Sequence, residues 1–324
     1  MKVRGFGRLL KAANGFLYHF SRYCRHSNWM DSASDVERRN YQAVKIYHSL
    51  EKSLSFSNRN PSSGWANAQA LMRLVSAASN AKRFGFHDKA GLHVLQQFIS
   101  ESESGRPEIA STLKDQIEKL PARPSSSDGI AGGVKQLTDA EMRRGTLDSP
   151  EEFFLSRFTL REFKPQVVSD DIVQRAVSLT MKTPSVCNRQ AWHIYHTSDP
   201  SVRDAVLTLQ SGNRGFGDKI PNIFIVTADL KAFMQGEEHY QHWIDGGMLA
   251  MSLVYSLHSL GVASCCLNWS QTPARDKRLR EIVNIRDSHS IIMMIGAGWP
   301  SDNNTVCVSP RRPVSEVFSN LVKN

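Results

Sequence analysis

The stretch Ser156–Trp192 constrains this chain most, because it holds two short polar clusters on either side of a helix-like segment. The first, Ser-Arg-Phe-Thr-Leu-Arg-Glu-Phe over Ser156–Phe163, places Thr159 midway between Arg157 and Arg161. Lys164-Pro165 then breaks the segment, and Asp170-Asp171 opens a helix. Planar guanidinium forks suit phosphate oxygens and a threonine hydroxyl adds a donor. A phosphorylated ligand therefore explains the group better than a generic charged surface. The second cluster, Thr183–Trp192, reads as a loop that turns through Thr183-Pro184-Ser185. It presents Asn188 and Gln190, whose amides both donate and accept, before a strand beginning near Trp192.

Together the clusters resemble the nitroreductase family of FMN-dependent oxidoreductases, whose motifs run Arg-x-Ser/Thr-x-Arg/Lys-x-Phe and Pro-Ser-x-x-Asn-x-Gln-Pro-Trp. Arg157, Thr159, Arg161 and Phe163 match the first. Pro184, Ser185, Asn188, Gln190 and Trp192 match the second, with Ala191 where the family usually has proline. The resemblance covers the chain from about residue 150 onward. It implies an α/β (α+β nitroreductase-like) fold, a central mainly antiparallel sheet flanked by helices, here behind an N-terminal helical region. It also implies FMN as cofactor, NADPH or NADH as donor, and ping-pong hydride transfer through the flavin to a small organic acceptor.

By the same resemblance, Arg157, Arg311 and Arg312 hold the phosphate and ribityl region, with Phe158 and Thr159 beside them. Arg161 lies near flavin N1 and O2, where a fixed positive charge favours the reduced cofactor. Asn188 and Gln190 bond the ring edge, and the segment Ser264–Trp269 brings Leu267 and Asn268 near N5. Phe216, as a lid, and Trp269 fall at the substrate opening. The flavin stores the hydride, so no catalytic side chain is expected. The matching long helix implies a homodimer. Rival readings are a flavin-binding protein without turnover and a membrane- or polysaccharide-associated accessory protein.

Length and charge bound the remainder. The 324 residues suffice for two domains, and a 40% hydrophobic fraction is ordinary for a globular core. The net charge of +9 is unevenly spread: residues 151–324 carry 18 Lys+Arg against 17 Asp+Glu. Residues 1–30 hold six basic residues (Lys2, Arg4, Arg8, Lys11, Arg22, Arg25) and no acidic one. With the excess confined to an arm and no recognised motif, nucleic-acid binding is disfavoured. The arm also carries Phe6, Leu9, Leu10, Phe16, Leu17 and Phe20. Residues 1–25 could lie on an anionic membrane surface, but Gly5, Gly7 and Gly15 weaken an amphipathic helix. Docking on the protein itself is the preferred expectation. No apolar run is long enough for a secretory signal, and the scattered Cys24, Cys187, Cys265, Cys266 and Cys307 suit reduced thiols without a metal. The expected location is cytoplasmic, with peripheral contact at the inner membrane face left open.

The expected division is a basic arm (1–30), a helical extension and linker (31–135), and an FMN-binding domain (136–324). Helical spacing marks Val36–Ser53 and Trp65–Phe84, and linker composition marks Glu101–Glu108 and Pro121–Gly133 around a helix-like Ile109–Leu120. His48, Glu51, Lys52 and Arg59 could form a second ligand site, but a solvated helix face is the simpler account. Beyond Trp192, strands at His193–Thr197, Ile220–Ala228, Ala263–Leu267 and Ser290–Gly296 alternate with helices at Ser201–Gln210, His239–Leu260 and Pro273–Val283. Gly212–Gly217 lacks dinucleotide-fingerprint spacing and reads as a mobile loop. Ile244–Ala263 is nearly free of charge and long enough to span a bilayer. Asp245, His258 and the following strand favour a buried helix instead. Glu238, His239 and His242 have partial metal-ligand spacing, but helix-end hydrogen bonding suits them better.

Overall fold

The computed structural model describes residues 2–29, 33–124, 130 and 132–323. The side chains of residues 2–5, Lys2 and Arg4 of the arm among them, and positions 125–129 and 131 of the Pro121–Gly133 linker lie outside the described residues.

Helix α1 runs unbroken over Lys2–His26 despite its three glycines. Next comes α2 (Val36–Leu54), capped by the Asp35 carboxylate, which accepts the Glu37 and Arg38 N–H groups at 3.0 and 3.2 Å. With α3 (Trp65–Asn80), α4 (Phe86–Ser102) and α5 (Pro107–Glu118), it encloses a core that includes Leu50, Leu71, Val75, Leu95 and Phe98. Apolar residues at helical spacing produce this packing. The stretch Glu101–Glu108 is not a linker. It is a tight turn between α4 and α5, and a Cβ on Gly105 would stand 2.2 Å from the Pro61 carbonyl oxygen. Its Ser-Gly-Pro composition reflects close packing rather than freedom.

The short helices α6 (Asp139–Arg143) and α7 (Pro150–Leu155) lead into the second part, followed by α8 (Asp170–Thr180). Four strands, β1 (Trp192–Thr197), β2 (Asn222–Asp229), β3 (Ala263–Asn268) and β4 (His289–Gly298), form one antiparallel sheet in the order β1-β2-β4-β3. Trp192 pairs with Ala228, Asn222 with Ala297, and Ala263 with Gly298. One face is covered by α10 (Gln241–Ser259), whose Leu249, Leu253 and Leu257 meet Phe224, Val226 and Ile295. The other face packs on α9 (Pro200–Leu207) and α11 (Pro273–Ile282) through Val206, Leu207, Leu279, Ile223, Ile225 and Met294. Being covered on both sides, β2 is apolar on both faces. The fold is thus α+β with an antiparallel sheet and extra helices.

The helical extension meets this body through α2. Glu37 pairs with Lys231 at 2.5 Å and Arg286 at 2.7 Å, and Tyr41 Oη donates to Asp229 at 3.3 Å. Among the described residues, no helix is long and apolar enough to cross a membrane.

Candidate functional site

The first motif lies along β3. Thr159 forms an isolated parallel bridge with Ser264, and the Leu160 N–H donates to the Ser264 carbonyl at 3.1 Å. Buried Leu160 and Phe163 anchor the segment while Arg157, Thr159 and Arg161 stay partly or fully exposed. Ser156 Oγ sits 3.1 Å from His258 Nε2, which ties the motif to the C-terminal end of α10. A recess of about 310 Å³ opens here, lined by Ser156, Arg157, Phe158, Ser264, Asn304 and Val306.

Charge at this recess is unbalanced. Among the described residues neither Arg157 nor Arg161 takes part in an ion pair, whereas their neighbour Glu162 is bonded to Lys219, and Lys164 to Asp302 at 2.8 Å. Arg161 donates to Cys307 Sγ at 3.5 Å, and its guanidinium carbon stands 6.0 Å from the Phe216 ring centroid. Two guanidinium groups without a carboxylate, beside a threonine and a recess, have the donor set of a phosphate site.

The second motif is a strained loop. Cys187, Asn188 and Gln190 have φ values of 50°, 53° and 52°, in the left-handed region that non-glycine residues rarely occupy. Side chains hold it there: Ser185 Oγ accepts the Gln190 N–H at 2.9 Å, and the Asp245 carboxylate accepts the Val186 N–H at 3.2 Å. Burial pushes Asp245 up from the usual carboxylate range. Arg189, which the sequence did not single out, is fully buried. Its guanidinium donates to both Glu238 oxygens, at 2.6 and 2.9 Å, and to the Ala232 carbonyl at 3.0 Å. Burial alone would raise Glu238, yet Arg189 and the Met234 and Gln235 N–H groups hold it below the usual range. Its carboxylate is therefore engaged with Arg189, and His239 Nδ1 lies 2.8 Å from the Gly236 carbonyl at the same helix entrance.

The two motifs lie diagonally across the sheet. Thr159 is beside Ser264 on edge strand β3, level with Ala297, whereas Gln190 precedes Trp192 on the opposite edge strand β1, level with Ser290. They also touch opposite ends of α10, at His258 and Asp245. At a rise of 1.5 Å per residue these two positions are ~20 Å apart. One chain therefore places Arg157, Thr159 and Arg161 alongside the start of β3, whose far end carries Leu267 and Asn268, and leaves Asn188 and Gln190 elsewhere.

Other expectations are corrected. Phe216 is no lid: it is buried beneath Arg161 with Ile220 and Met294, because the Gly212–Gly217 loop folds its one large apolar side chain inward. Trp269 is likewise buried, its Nε1 donating to Asp276 at 3.0 Å. Leu267 is buried, while Asn268 is exposed and its carbonyl accepts Gln210 Nε2 at 2.9 Å. Arg311 and Arg312 lie on an exposed C-terminal tail, and the recess at Arg157 is bordered by Asn304 and Val306 instead. In the extension, His48 pairs with Glu51 at 3.1 Å, but Arg59 turns to Ser102 Oγ at 3.0 Å, so that polar set does not converge.

Residues 155–212 match the model of the nitroreductase family. An Archaeoglobus fulgidus protein provisionally named NADH dehydrogenase/NAD(P)H nitroreductase is 25% identical over 151 residues, covering 45% of this chain and 83% of the relative. Among solved structures, an FMN-dependent nitroreductase from Clostridium difficile has a TM-score of 0.45 at 18% identity, covering 52% of this chain and 98% of its own. A nitroreductase with bound FMN from Desulfitobacterium hafniense gives 0.43 at 16% identity, covering 54% of this chain and all of its own. The two ordered motifs thus fall within or beside the residues that match the nitroreductase family, and it is this family that the C-terminal part of the chain resembles.

Proposed function

We propose that the chain is an FMN-dependent NAD(P)H oxidoreductase that passes hydride from NADPH or NADH to a small organic acceptor in ping-pong turnover. The observation that carries this reading is the pair Arg157 and Arg161 with Thr159, two cations without carboxylate partners beside a recess. Arg157 with Thr159 fits a phosphate monoester, and Arg161 fits an electron-rich ring edge. The archaeal relative's name supports the nicotinamide donor.

Arg157 and Thr159 would hold the phosphate beside Phe158; Arg311 and Arg312 would reach it only if the exposed tail moved in over the recess. Arg161 would set its charge against the pyrimidine edge, and the end of β3 at Leu267–Asn268, where the Asn268 side chain is exposed, would border the central ring. When bound, FMN supplies the hydride store, which leaves binding, orientation and electrostatics to the protein.

A homodimer belongs to the same reading. Ile244, Met248 and Met251 form an exposed apolar row on α10, and the tail exposes Val308, Val314 and Phe318. Asn188 and Gln190 lie too far from Arg161 to share a flavin within one chain, so those of a second copy would complete the ring edge. The helical core around Leu71 and Phe98 is distinct from the cores around the sheet, which supports a basic arm (1–30), a helical extension and linker (31–135) and an FMN-binding domain (136–324). A cytoplasmic location completes the reading.

The test is a visible spectrum of the purified protein, followed by anaerobic NADPH and then NADH. A flavin spectrum that bleaches supports the enzyme and names its donor; a flavin that neither reduces shifts the reading to flavin binding without turnover. A colourless protein that takes up no added FMN rejects it. Loss of one charge-assisted phosphate contact costs about 2 kcal/mol, so Arg157→Ala should weaken FMN retention roughly 30-fold.

A further inference from the structure

The first helix presents a surface that the oxidoreductase reading does not use. Phe6, Leu9, Leu10, Phe16, Leu17 and Phe20 fall at i, i+3, i+4 and i+7 spacing on α1, and each is between 49% and 64% exposed. The row is ~21 Å long at 1.5 Å per residue. It contradicts the expectation that these side chains dock on the protein. The opposite face docks instead: Tyr18 Oη donates to Asp276 at 2.7 Å, and Arg22 donates to Asp287 at 3.1 Å and to the His289 carbonyl at 3.0 Å. Holding α1 by its polar face turns the apolar row outward. The row continues onto the body, where Phe16 and Phe20 border a cleft of about 150 Å³ with Tyr240 and Trp243. Tyr240 and Trp29 are themselves exposed, the amphipathic ring types that collect at membrane interfaces.

Charge selects the occupant. Residues 1–30 contain no acidic residue, and Arg8, Lys11 and Arg25 remain exposed. A second copy packed row to row would offer that basic set no acidic partner, since its own α1 carries none. An anionic bilayer would neutralise it while burying the row. Arg8 and Lys11 project from the far side of the helix, about 10 Å from the apolar face, which is near one Debye length at physiological salt. Their attraction is therefore of the screened, salt-sensitive kind.

We infer that α1 is a membrane-surface helix that lays Phe6, Leu9, Leu10, Phe16, Leu17 and Phe20 into the interface of an anionic bilayer. The inference does not depend on flavin binding, and its test is separate. The full chain is floated with phosphatidylcholine vesicles with and without phosphatidylglycerol. Binding should favour the phosphatidylglycerol vesicles and weaken with salt. Leu9→Glu/Leu17→Glu should reduce it at least about tenfold, and Arg8→Glu/Lys11→Glu should abolish the lipid preference. All four side chains are exposed, so circular dichroism should be unchanged.

A Cβ on Gly7 or Gly15 meets nothing within 4 Å. Gly7→Ala/Gly15→Ala should therefore raise vesicle affinity about threefold or more by favouring the helix. No flotation with either vesicle overturns the inference, as does flotation untouched by Leu9→Glu/Leu17→Glu. Equal binding to both lipids overturns the anionic choice. A drop in oligomeric state of that double variant in lipid-free light scattering would assign the row to a second copy instead.

Discussion

Asp88 and His242 show how buried polar groups act one residue at a time. The Asp88 carboxylate is fully buried and accepts Arg39 at 2.9 Å, Asn40 Nδ2 at 3.0 Å and the Gly85 N–H at 2.9 Å. Asp88→Asn would leave Arg39 charged and unpaired in the helical core. A loss of about 3–5 kcal/mol is expected in urea unfolding. His242 is held near pH 3, by burial first and then by the charges of His19, His239 and Arg22. The sign follows from linkage. Below its ordinary value near 6.5, the unfolded imidazole takes a proton that the folded one refuses. Stability is thus fully present above that value and is lost as pH falls toward 3. At pH 5.5 this one group should cost about 1.2 kcal/mol relative to neutral pH. The check is the change in urea midpoint with pH, which His242→Gln should make shallower.

At the scale of elements, α10 is fixed by one close approach. A Cβ on Gly246 would stand 2.5 Å from Ile292 Cγ1, so Gly246→Ala must push α10 away from β4. A loss of about 1–3 kcal/mol is expected, read as a lower thermal midpoint. Elements also show where sequence reading succeeded. Apolar periodicity located β1, β2, β3, β4 and α10 to within a residue or two, because burial on a sheet or against one imposes its own period. It misjudged α1. Three glycines cost roughly 1 kcal/mol each in helix propensity, but the anchored C-terminal half removes the cost of nucleating the rest. The Glu101–Glu108 turn misled for a related reason: glycine and proline mark tight packing as well as looseness.

Considered whole, the molecule joins a helical unit with its own core to an α+β body through α2, and the join reaches the second motif. Tyr41 of α2 and Tyr23 of α1 pack in the cluster that holds Val186, Ala191 and Phe233. In the proposed dimer, the exposed row on α10 would tie assembly to the cofactor. Met248→Glu is expected to shift the protein toward monomer in light scattering and to reduce FMN retention about tenfold or more, since the ring edge would lose Asn188 and Gln190 of the second copy. A dimer that persists with full flavin in that variant would place the interface elsewhere.

The sequence alone determined the two motifs, the family they resemble and the order of strands and helices, because these rest on local spacing and on residue chemistry that no neighbour can change. Tertiary structure alone decided what each side chain faces. It buried Phe216 and Trp269, paired Arg189 with Glu238, left the apolar row of α1 outside, and put the two motifs at diagonal corners of one sheet. Exposure and separation are set by contacts between residues distant along the chain, and local composition carries no record of them.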